Sequence, residues 1–208
     1  MKKLNYLVMS IIFLICLMVM LACSDDKKNP TDPITGGGYK VGSRGPAGGI
    51  IFYDKGNSDD GWRYLEAAPA SSEFNAQWGT YTGSWKDGTF QGIDVSGTQT
   101  GIGTGKANTQ IINTKLQELG ETGRVSQLCV ALTIGDKDDW FLPSVDELNL
   151  MYQNLHRNGL GGFRDDVYWS SSQSSSSSYY AWRQYFGNGA QDDYYKDGSH
   201  RARAVRGF

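Results

Sequence analysis

Histidine is nearly missing from this chain: His156 and His200 are the only two among 208 residues. Cysteine is scarce at three, and proline at five. Two scattered histidines and so few thiols do not supply a zinc site. Net charge is also small: 20 Lys and Arg stand against 22 Asp and Glu, which leaves −2 and removes any bulk electrostatic case for nucleic acid. No collagen triplet, heptad run or internal repeat is present, and 39% hydrophobic residues is too many for a disordered chain. No G-x-S-x-G marks a hydrolase serine. Gly101-Ile102-Gly103-Thr104-Gly105-Lys106 departs from a phosphate loop at both ends. Thr100 stands where the first glycine belongs and Ala107 where Ser or Thr is needed, so the segment reads as a turn before a helix.

What the chain does have is glycine, 27 residues, and aromatics at 12%, a composition of tight turns between short strands. Its first segment reads as an export signal. Lys2 and Lys3 precede an apolar run from Leu7 to Leu21, and Ala22 is the small residue before Cys23. The run is short for a spanning helix, which needs about 20 apolar residues. Met20-Leu21-Ala22-Cys23 resembles a bacterial lipobox. The resemblance implies that residues 1–22 are removed and that Cys23 becomes a lipidated N-terminus; a plain secretory signal or an uncleaved anchor stays open. Removal takes two lysines and no acidic residue, giving a net charge of −4. Residues 23–38 form a polar tether with a root-mean-square span of roughly 20 Å. Ser24 after the cysteine resembles lipoproteins sorted to the outer membrane. Cys129 is then the one unmodified thiol, so no internal disulfide forms. It lies in the apolar Leu128–Leu132 run and reads as buried and inert.

Residues 39–208 read as one domain, since no second linker interrupts them and tryptophans at 62, 78, 85, 140, 169 and 182 spread core material along the whole stretch. Ile50–Tyr53 and Trp62–Ala68 read as strands. Ile111, Ile112, Lys115, Leu116 and Leu119 predict a helix over Ala107–Gly120. Ser144 and Glu147 form a capping box ahead of Leu148, Met151, Tyr152 and Leu155 at helical spacing, with Gly159 as a stop. In Ala181–Phe186, Trp182, Gln184 and Phe186 share one strand face, with Arg183 and Tyr185 on the other. Asn188-Gly189 and Asp197-Gly198 are hairpin signals, and Arg201–Phe208 alternates as a last strand. The fold class is α+β, two helices followed by a β-rich C-terminal third.

The chemistry-bearing residues crowd into that last third. Tyr, Ser, Gly and Asp dominate Trp169–His200, a binding-loop composition: Tyr offers amphipathic contact area at low rotamer cost, and Ser and Gly adapt. A low-complexity linker is the alternative for the serine run. The carboxylate groups Asp136/Asp138/Asp139, Asp165/Asp166 and Asp192/Asp193 match no Ca²⁺-loop spacing and read as solvated surface charge.

Five segments in order carry a family resemblance: Gly45-Pro46-Ala47-Gly48-Gly49-Ile50-Ile51-Phe52-Tyr53, Trp140–Leu148, Tyr168–Ser172, Ala181-Trp182 and Arg203-Ala204-Val205-Arg206-Gly207-Phe208. Together they resemble the C-terminal domain family of bacterial collagen-like adhesins. The resemblance implies a C-type-lectin-like fold of the formylglycine-generating-enzyme type over about Val41–Phe208. The tail is similar to the variable proteins of diversity-generating retroelements, in which adenine-directed mutation scatters Asn-type codons among fixed residues. That resemblance implies a scaffold of Trp182, Gln184, Phe186, Asn188, Gly189, Gln191, Lys196, Arg201 and Arg203. It implies a ligand-binding set of Tyr179, Tyr180, Arg183, Tyr185, Asp192, Asp193, Tyr194, Tyr195, Asp197 and His200, with Ala190 and Gly198 among the diversified positions. The enzymes of the fold need a cysteine pair or histidine-bound iron, and its calcium-dependent lectins need Glu-Pro-Asn or Gln-Pro-Asp; none of these is in the sequence. No catalytic residue, metal or cofactor is therefore expected.

The expected function is a lipid-anchored protein of the bacterial envelope, on the outer membrane and exposed at the surface. It would bind a protein or glycan ligand through its tail, touching the membrane through Cys23 and binding no nucleic acid. A fixed-specificity adhesin and a structural envelope lipoprotein are the alternatives. An enzyme on the same fold would bring His200 together with Asp192 or Asp193 in a pocket. Cys23→Ser is expected to abolish metabolic labelling by a fatty acid and to release the chain from the membrane fraction. Retention of label by the variant would overturn the lipobox reading.

Overall fold

The computed structural model describes residues 38–82, 86 and 91–208. The signal segment, Cys23, the tether as far as Gly37, and Trp85 lie outside the described residues. The described residues belong to one compact unit. Its strands are β1 (Ile50–Asp54), β2 (Tyr64–Ala67), β3 (Phe74–Gln77), β4 (Tyr81–Thr82), β5 (Gln91–Gly92), β6 (Val167–Gln173), β7 (Tyr180–Tyr185), β8 (Gln191–Tyr195), β9 (Ser199–Ala202) and β10 (Val205–Gly207). Its helices are α1 (Gly105–Glu118), α2 (Val125–Val130) and α3 (Val145–Asn154). The strands form a three-stranded sheet in the order β1-β2-β10, a five-stranded sheet in the order β3-β9-β6-β7-β8, and a β4-β5 ribbon. This is the α+β architecture expected, with strand content concentrated after residue 167.

Both expected helices are present. α1 begins at Gly105, two residues before the expected start at Ala107, because Gly105, Asn108 and Thr109 are also buried on the face that carries Ile112 and Leu116. In α3, Ser144 Oγ accepts from Glu147 N at 3.2 Å while Glu147 Oε2 accepts from Ser144 N at 2.8 Å, the reciprocal cap that the spacing announces. Gly159 closes the following 3₁₀ turn with φ of 69°. The short α2 has no counterpart in the sequence pattern: six residues are too few to show a stripe. It holds Cys129 fully buried, and burial pushes that thiol's pKa far up.

The chain end departs from the sequence reading in two places. Arg201–Phe208 is not one strand. It breaks at Arg203-Ala204 into β9, which pairs with β3 and β6, and β10, which pairs with β2. Asp197-Gly198 makes a turn, with Gly198 N donating to Tyr195 O at 3.0 Å, but not a hairpin, because β8 and β9 are not neighbours. Lys196 explains the crossing. Its side chain is fully buried and its carbonyl accepts from Trp78 N at 2.9 Å and Gly79 N at 3.0 Å, so the chain is drawn across the sheet toward β3. Lys196 Nζ donates to Ile93 O and to Gln173 Oε1, each at 2.6 Å, and lies 4.4 Å from the Trp78 ring centre. Burial pushes its pKa down to about 7, with Asp94 opposing.

Buried carboxylates tie the two sheets to their loops. Glu66 on β2 is fully buried; it accepts from Gly49 N at 2.8 Å and Ala47 N at 3.1 Å, with Arg206 Nη1 at 3.3 Å. A side chain at position 49 would meet Ala67 O at 2.1 Å, so only glycine lets that turn close over the carboxylate. Glu147 is held the same way by Gly103 N at 2.8 Å and by Gly105 N, whose added Cβ would lie 2.2 Å from Glu147 Oε2. The glycine run that imitates a phosphate loop is thus a nest of amides already filled by the chain's own anion. Burial raises the Glu147 carboxyl to about 7 against those hydrogen bonds.

Glu73, next to β3, accepts from Arg203 Nη2 at 2.6 Å, Arg201 Nη1 at 2.9 Å and Tyr168 Oη at 3.0 Å. Arg203 is buried and also donates to Ala68 O and Gly161 O. Breaking such a pair strands a buried charge and costs about 3–5 kcal/mol. Arg203→Met is therefore expected to lower the melting temperature by about 10 °C and Arg203→Lys to recover only part of it, measured by circular dichroism. An unshifted melt in both would contradict this account.

Candidate ligand-binding site

The tail residues meet on β7 and β8, where Tyr180↔Tyr195, Ala181↔Tyr194, Trp182↔Asp193, Arg183↔Asp192 and Gln184↔Gln191 lie opposite one another. Opposed residues share a face, so the seven expected site residues on these two strands divide between two faces. One face carries Arg183, Tyr185, Asp192 and Tyr194; the other carries Tyr180, Asp193 and Tyr195. β7 keeps the alternation read from sequence: Gln184 and Phe186 are buried, Trp182 is half-buried, and Tyr185 is 40% exposed. Gln184 Nε2 donates to Asn149 Oδ1 of α3 at 2.9 Å, which fixes that face against the helix.

The first patch is built around one guanidinium. Arg183 Nε and Nη2 donate to Asp192 Oδ1 and Oδ2 at 2.9 and 3.0 Å, and Nη1 lies 2.9 Å from His200 Nε2. Its Cζ sits 3.7 Å from the Tyr194 ring centre, a close cation–π contact. His200 packs, tilted against both rings, between Tyr194, at 5.5 Å, and the buried Trp169, at 4.7 Å. A guanidinium can only donate, so His200 Nε2 is the acceptor and the ring proton resides on Nδ1. Burial, and then the charge of Arg183, push the His200 pKa down to about 4.

The second patch is an aromatic cluster with a hydroxyl-bound carboxylate. Tyr180 and Tyr195 meet edge to face at 4.7 Å; Tyr81 reaches Tyr179 at 5.9 Å and Tyr195 at 6.4 Å. The Tyr180 phenol is raised by its hydrogen bond to Tyr195. Tyr81 Oη donates to Asp197 Oδ1 at 3.1 Å; burial, and then the Asp197 carboxylate, raise the pKa of its phenol. Asp193 Oδ2 accepts from Ser176 Oγ at 3.1 Å and from Ser174 Oγ. Tyr194 and Tyr195 remain 39% and 42% exposed.

The serine run is not a linker. Ser170, Ser171, Ser172 and Ser174 are buried. Ser170 Oγ donates to Trp182 O and Ser172 Oγ to Gln99 O, each at 2.8 Å. Its end lines a cleft of about 380 Å³ with Asp94, Thr98 and Gln173. Sequence reasoning missed Tyr81, which lies some hundred residues from the tail with no local signal, and missed Trp169 as the floor under His200. The carboxylate clusters are not simply solvated charge, because each gives one member to an arginine: Asp139 to Arg206, Asp166 to Arg201 and Asp192 to Arg183. Among the described residues, no three His, Cys, Asp or Glu converge as a metal site, and no helix is long and apolar enough to cross a membrane.

The His200 geometry has a direct readout. In ¹⁵N-detected spectra, His200 is expected as the neutral Nδ1–H tautomer above about pH 5, with a midpoint near 4. Arg183→Ala removes a like charge and opens the ring to water, so both effects move the midpoint up toward about 6.5. A wild-type midpoint already at the ordinary value would contradict the Arg183–His200 contact.

The five ordered segments have places in this geometry, Ala181-Trp182 within β7 and the other four at its supports. The Gly45–Tyr53 turn holds Glu66, Trp140–Leu148 caps α3, Tyr168–Ser172 floors the site, and Arg203 and Arg206 close on Glu73 and Glu66. Among curated proteins none matches the chain. The Lcl C-terminal domain family model matches residues 68–206. That span is well over half of the sequence and includes every residue of both patches, so the chain belongs to the Lcl C-terminal domain family, the C-terminal domain family of collagen-like adhesins.

Proposed function

We propose that this protein is a receptor of the bacterial envelope, carried on a lipid at Cys23 and exposed at the outer membrane. Its C-type-lectin-like domain binds a macromolecular ligand, protein or glycan, through the residues of β7, β8 and β9. The observation that carries this reading is the pair of patches around Arg183–Asp192–Tyr194–His200 and Tyr180–Tyr195–Asp193. They combine exposed tyrosines, which bury large area at low entropy cost, with polar groups already oriented by neighbours. Such preorganisation reduces the entropy lost in ordering side chains on binding.

Binding without bond-making fits the state of the candidate acid–base groups. The His200 Nε2 lone pair is taken by Arg183, and Asp192 is taken by the same guanidinium. Cys129 is buried with its thiol held protonated.

Retroelement diversification is part of the proposal. The residues assigned to the scaffold include fully buried ones, Gln184, Phe186, Lys196 and Arg203, whereas Tyr185, Asp192, Tyr194, Tyr195 and Asp197 are exposed. Exposed positions tolerate replacement and buried ones do not. Deep sequencing of the gene's 3′ end across a cultured population and sister strains tests this. Adenine-traceable changes are expected at Tyr179, Tyr180, Arg183, Tyr185, 192–195, Asp197 and His200, with Trp182, Gln184 and Phe186 fixed. A tail as invariant as the core would overturn diversification and leave a fixed-specificity adhesin.

A further inference from the structure

The division of the tail residues onto two faces is unexpected for a flat binding surface, and the open edge of the five-stranded sheet accounts for it. β8 is the last strand of that sheet. Two hydrogen bonds fix the phase of its ladder. Tyr185 N donates to Ala190 O at 2.9 Å, and Lys196 N donates to Tyr179 O at 3.0 Å. Both belong to the register that opposes Arg183 to Asp192 and Ala181 to Tyr194. In an antiparallel ladder, hydrogen-bonded and non-hydrogen-bonded pairs alternate. Asp192 and Tyr194 therefore direct their amides and carbonyls toward β7, whereas Gln191, Asp193 and Tyr195 direct theirs outward. Tyr195 O is taken by Gly198 N. Among the described residues, none donates to or accepts from the N–H and C=O of Gln191 and Asp193 or the N–H of Tyr195. Native sheets cover or blunt such edges because they template strand addition.

We propose that the ligand of the site is an extended polypeptide segment of a partner protein, which adds beside β8 as a sixth strand. The inference rests on the binding reading given above and narrows its ligand class. Gln191–Tyr195 at about 3.3 Å per residue presents some 17 Å of edge, enough to read roughly five residues. Side chains of an added strand alternate between faces, so they meet Tyr194 with the Arg183–Asp192 pair on one side and Tyr195, Asp193 and Tyr180 on the other. Both patches then read one ligand, and main-chain bonds supply affinity that does not depend on the tail sequence. A site whose side chains vary while its main-chain contacts persist can change specificity without losing affinity altogether.

Charge selects the occupant. A second copy pairing antiparallel over the middle of the same edge would set Asp193 opposite Asp193 in one register or Asp192 opposite Asp192 in the other, and opposed like charges destabilise a sheet. A partner strand bearing Lys or Arg beside apolar or aromatic residues complements the edge instead. A glycan lacks the regular alternation of donors and acceptors that Gln191, Asp193 and Tyr195 present.

The test pans the full chain in detergent micelles against a phage library of random linear heptapeptides, then measures selected synthetic peptides by calorimetry. Asp193→Pro removes one outward donor at an edge position where proline is tolerated; Asp193→Ala removes the carboxylate but keeps the donor. Peptides enriched in basic and aromatic residues are expected, with Asp193→Pro weakening them at least tenfold more than Asp193→Ala. Since Asp193→Pro can perturb the strand, the second measurement uses wild type: peptide should slow hydrogen exchange of the Gln191, Asp193 and Tyr195 amides at least tenfold. Peptides that bind without this protection, and equally well to Asp193→Pro, would overturn strand addition while leaving a side-chain binding surface. So would a failure to select any peptide when a glycan array gives a ligand lost in Tyr194→Ala. Selected peptides indifferent to both Arg183→Ala and Tyr194→Ala would overturn the binding reading itself.

Discussion

The fold depends on closing its C-terminal arginines onto carboxylates that the N-terminal half has already buried. Glu66 on β2 and Glu73 just before β3 are laid down more than a hundred residues before Arg206 and Arg203. Neither carboxylate could remain charged in the interior without them. Glu66 has two backbone amides besides Arg206, and Glu73 has Arg201 and Tyr168 besides Arg203. Desolvation is thus offset by several partners at once, which is the condition under which a buried ion pair is tolerated. The result is a closed frame: β10 lies beside β2 in one sheet and β9 beside β3 in the other, with Arg203 at the crossing between them.

That frame fixes where variation can occur. The tail leaves β6, turns through the Ser174–Tyr179 loop, runs out along β7, back along β8 to the edge, and returns through Lys196 to β9. The return is the demanding step. Lys196 is anchored by Ile93 O, Gln173 and the Trp78 ring, and its main chain is held by Trp78, Gly79 and Tyr179. The β7–β8 hairpin between the Ser174–Tyr179 loop and Lys196 is a two-stranded excursion, which Gln184 fastens to Asn149 of α3. Its outer residues therefore contribute little to the frame, and the frame contributes most of their positioning.

The sequence shows this organisation unevenly, for physical reasons. The α3 cap is legible because a Ser-x-x-Glu box followed by helical apolar spacing is wholly local. β7 is legible because its alternation matches a strand with one face on a helix. The separation of β9 from β10 is not, because alternation in Arg201–Phe208 is the same whether the residues serve one sheet or two, and only the Glu66 and Glu73 partners decide. The turn at Asp197-Gly198 carries the composition of a hairpin, yet the burial of Lys196 next to it overrides that preference. Glu66 and Glu147 look like ordinary charges in the sequence; the glycine turns that hold them are visible there, but which anion fills them is not. The site shows the same limit. Ten tail residues are nameable from composition and resemblance, while their partition between two faces needs the register, and Tyr81 needs the fold.

The Arg183 cluster places a constraint on any change in the tail. Asp192, His200 and Tyr194 all depend on one guanidinium that is itself half-buried. Losing Arg183 leaves Asp192 solvated at the edge, which costs little, and frees His200 to titrate. Losing Asp192 while keeping Arg183 leaves a half-buried cation whose nearest remaining contacts are a neutral imidazole and a phenol face. The second change costs more than the first, because the exposed carboxylate can be rehydrated in place and the guanidinium cannot. Substitutions at 183 and 192 are therefore coupled, and neighbouring positions of this kind do not behave additively. The second patch differs: Asp193 leans on Ser174 and Ser176 of the loop, and Tyr180 and Tyr195 lean on each other. Two patches with separate supports can vary independently, which gives a single edge two adjustable sides around a main chain that stays the same.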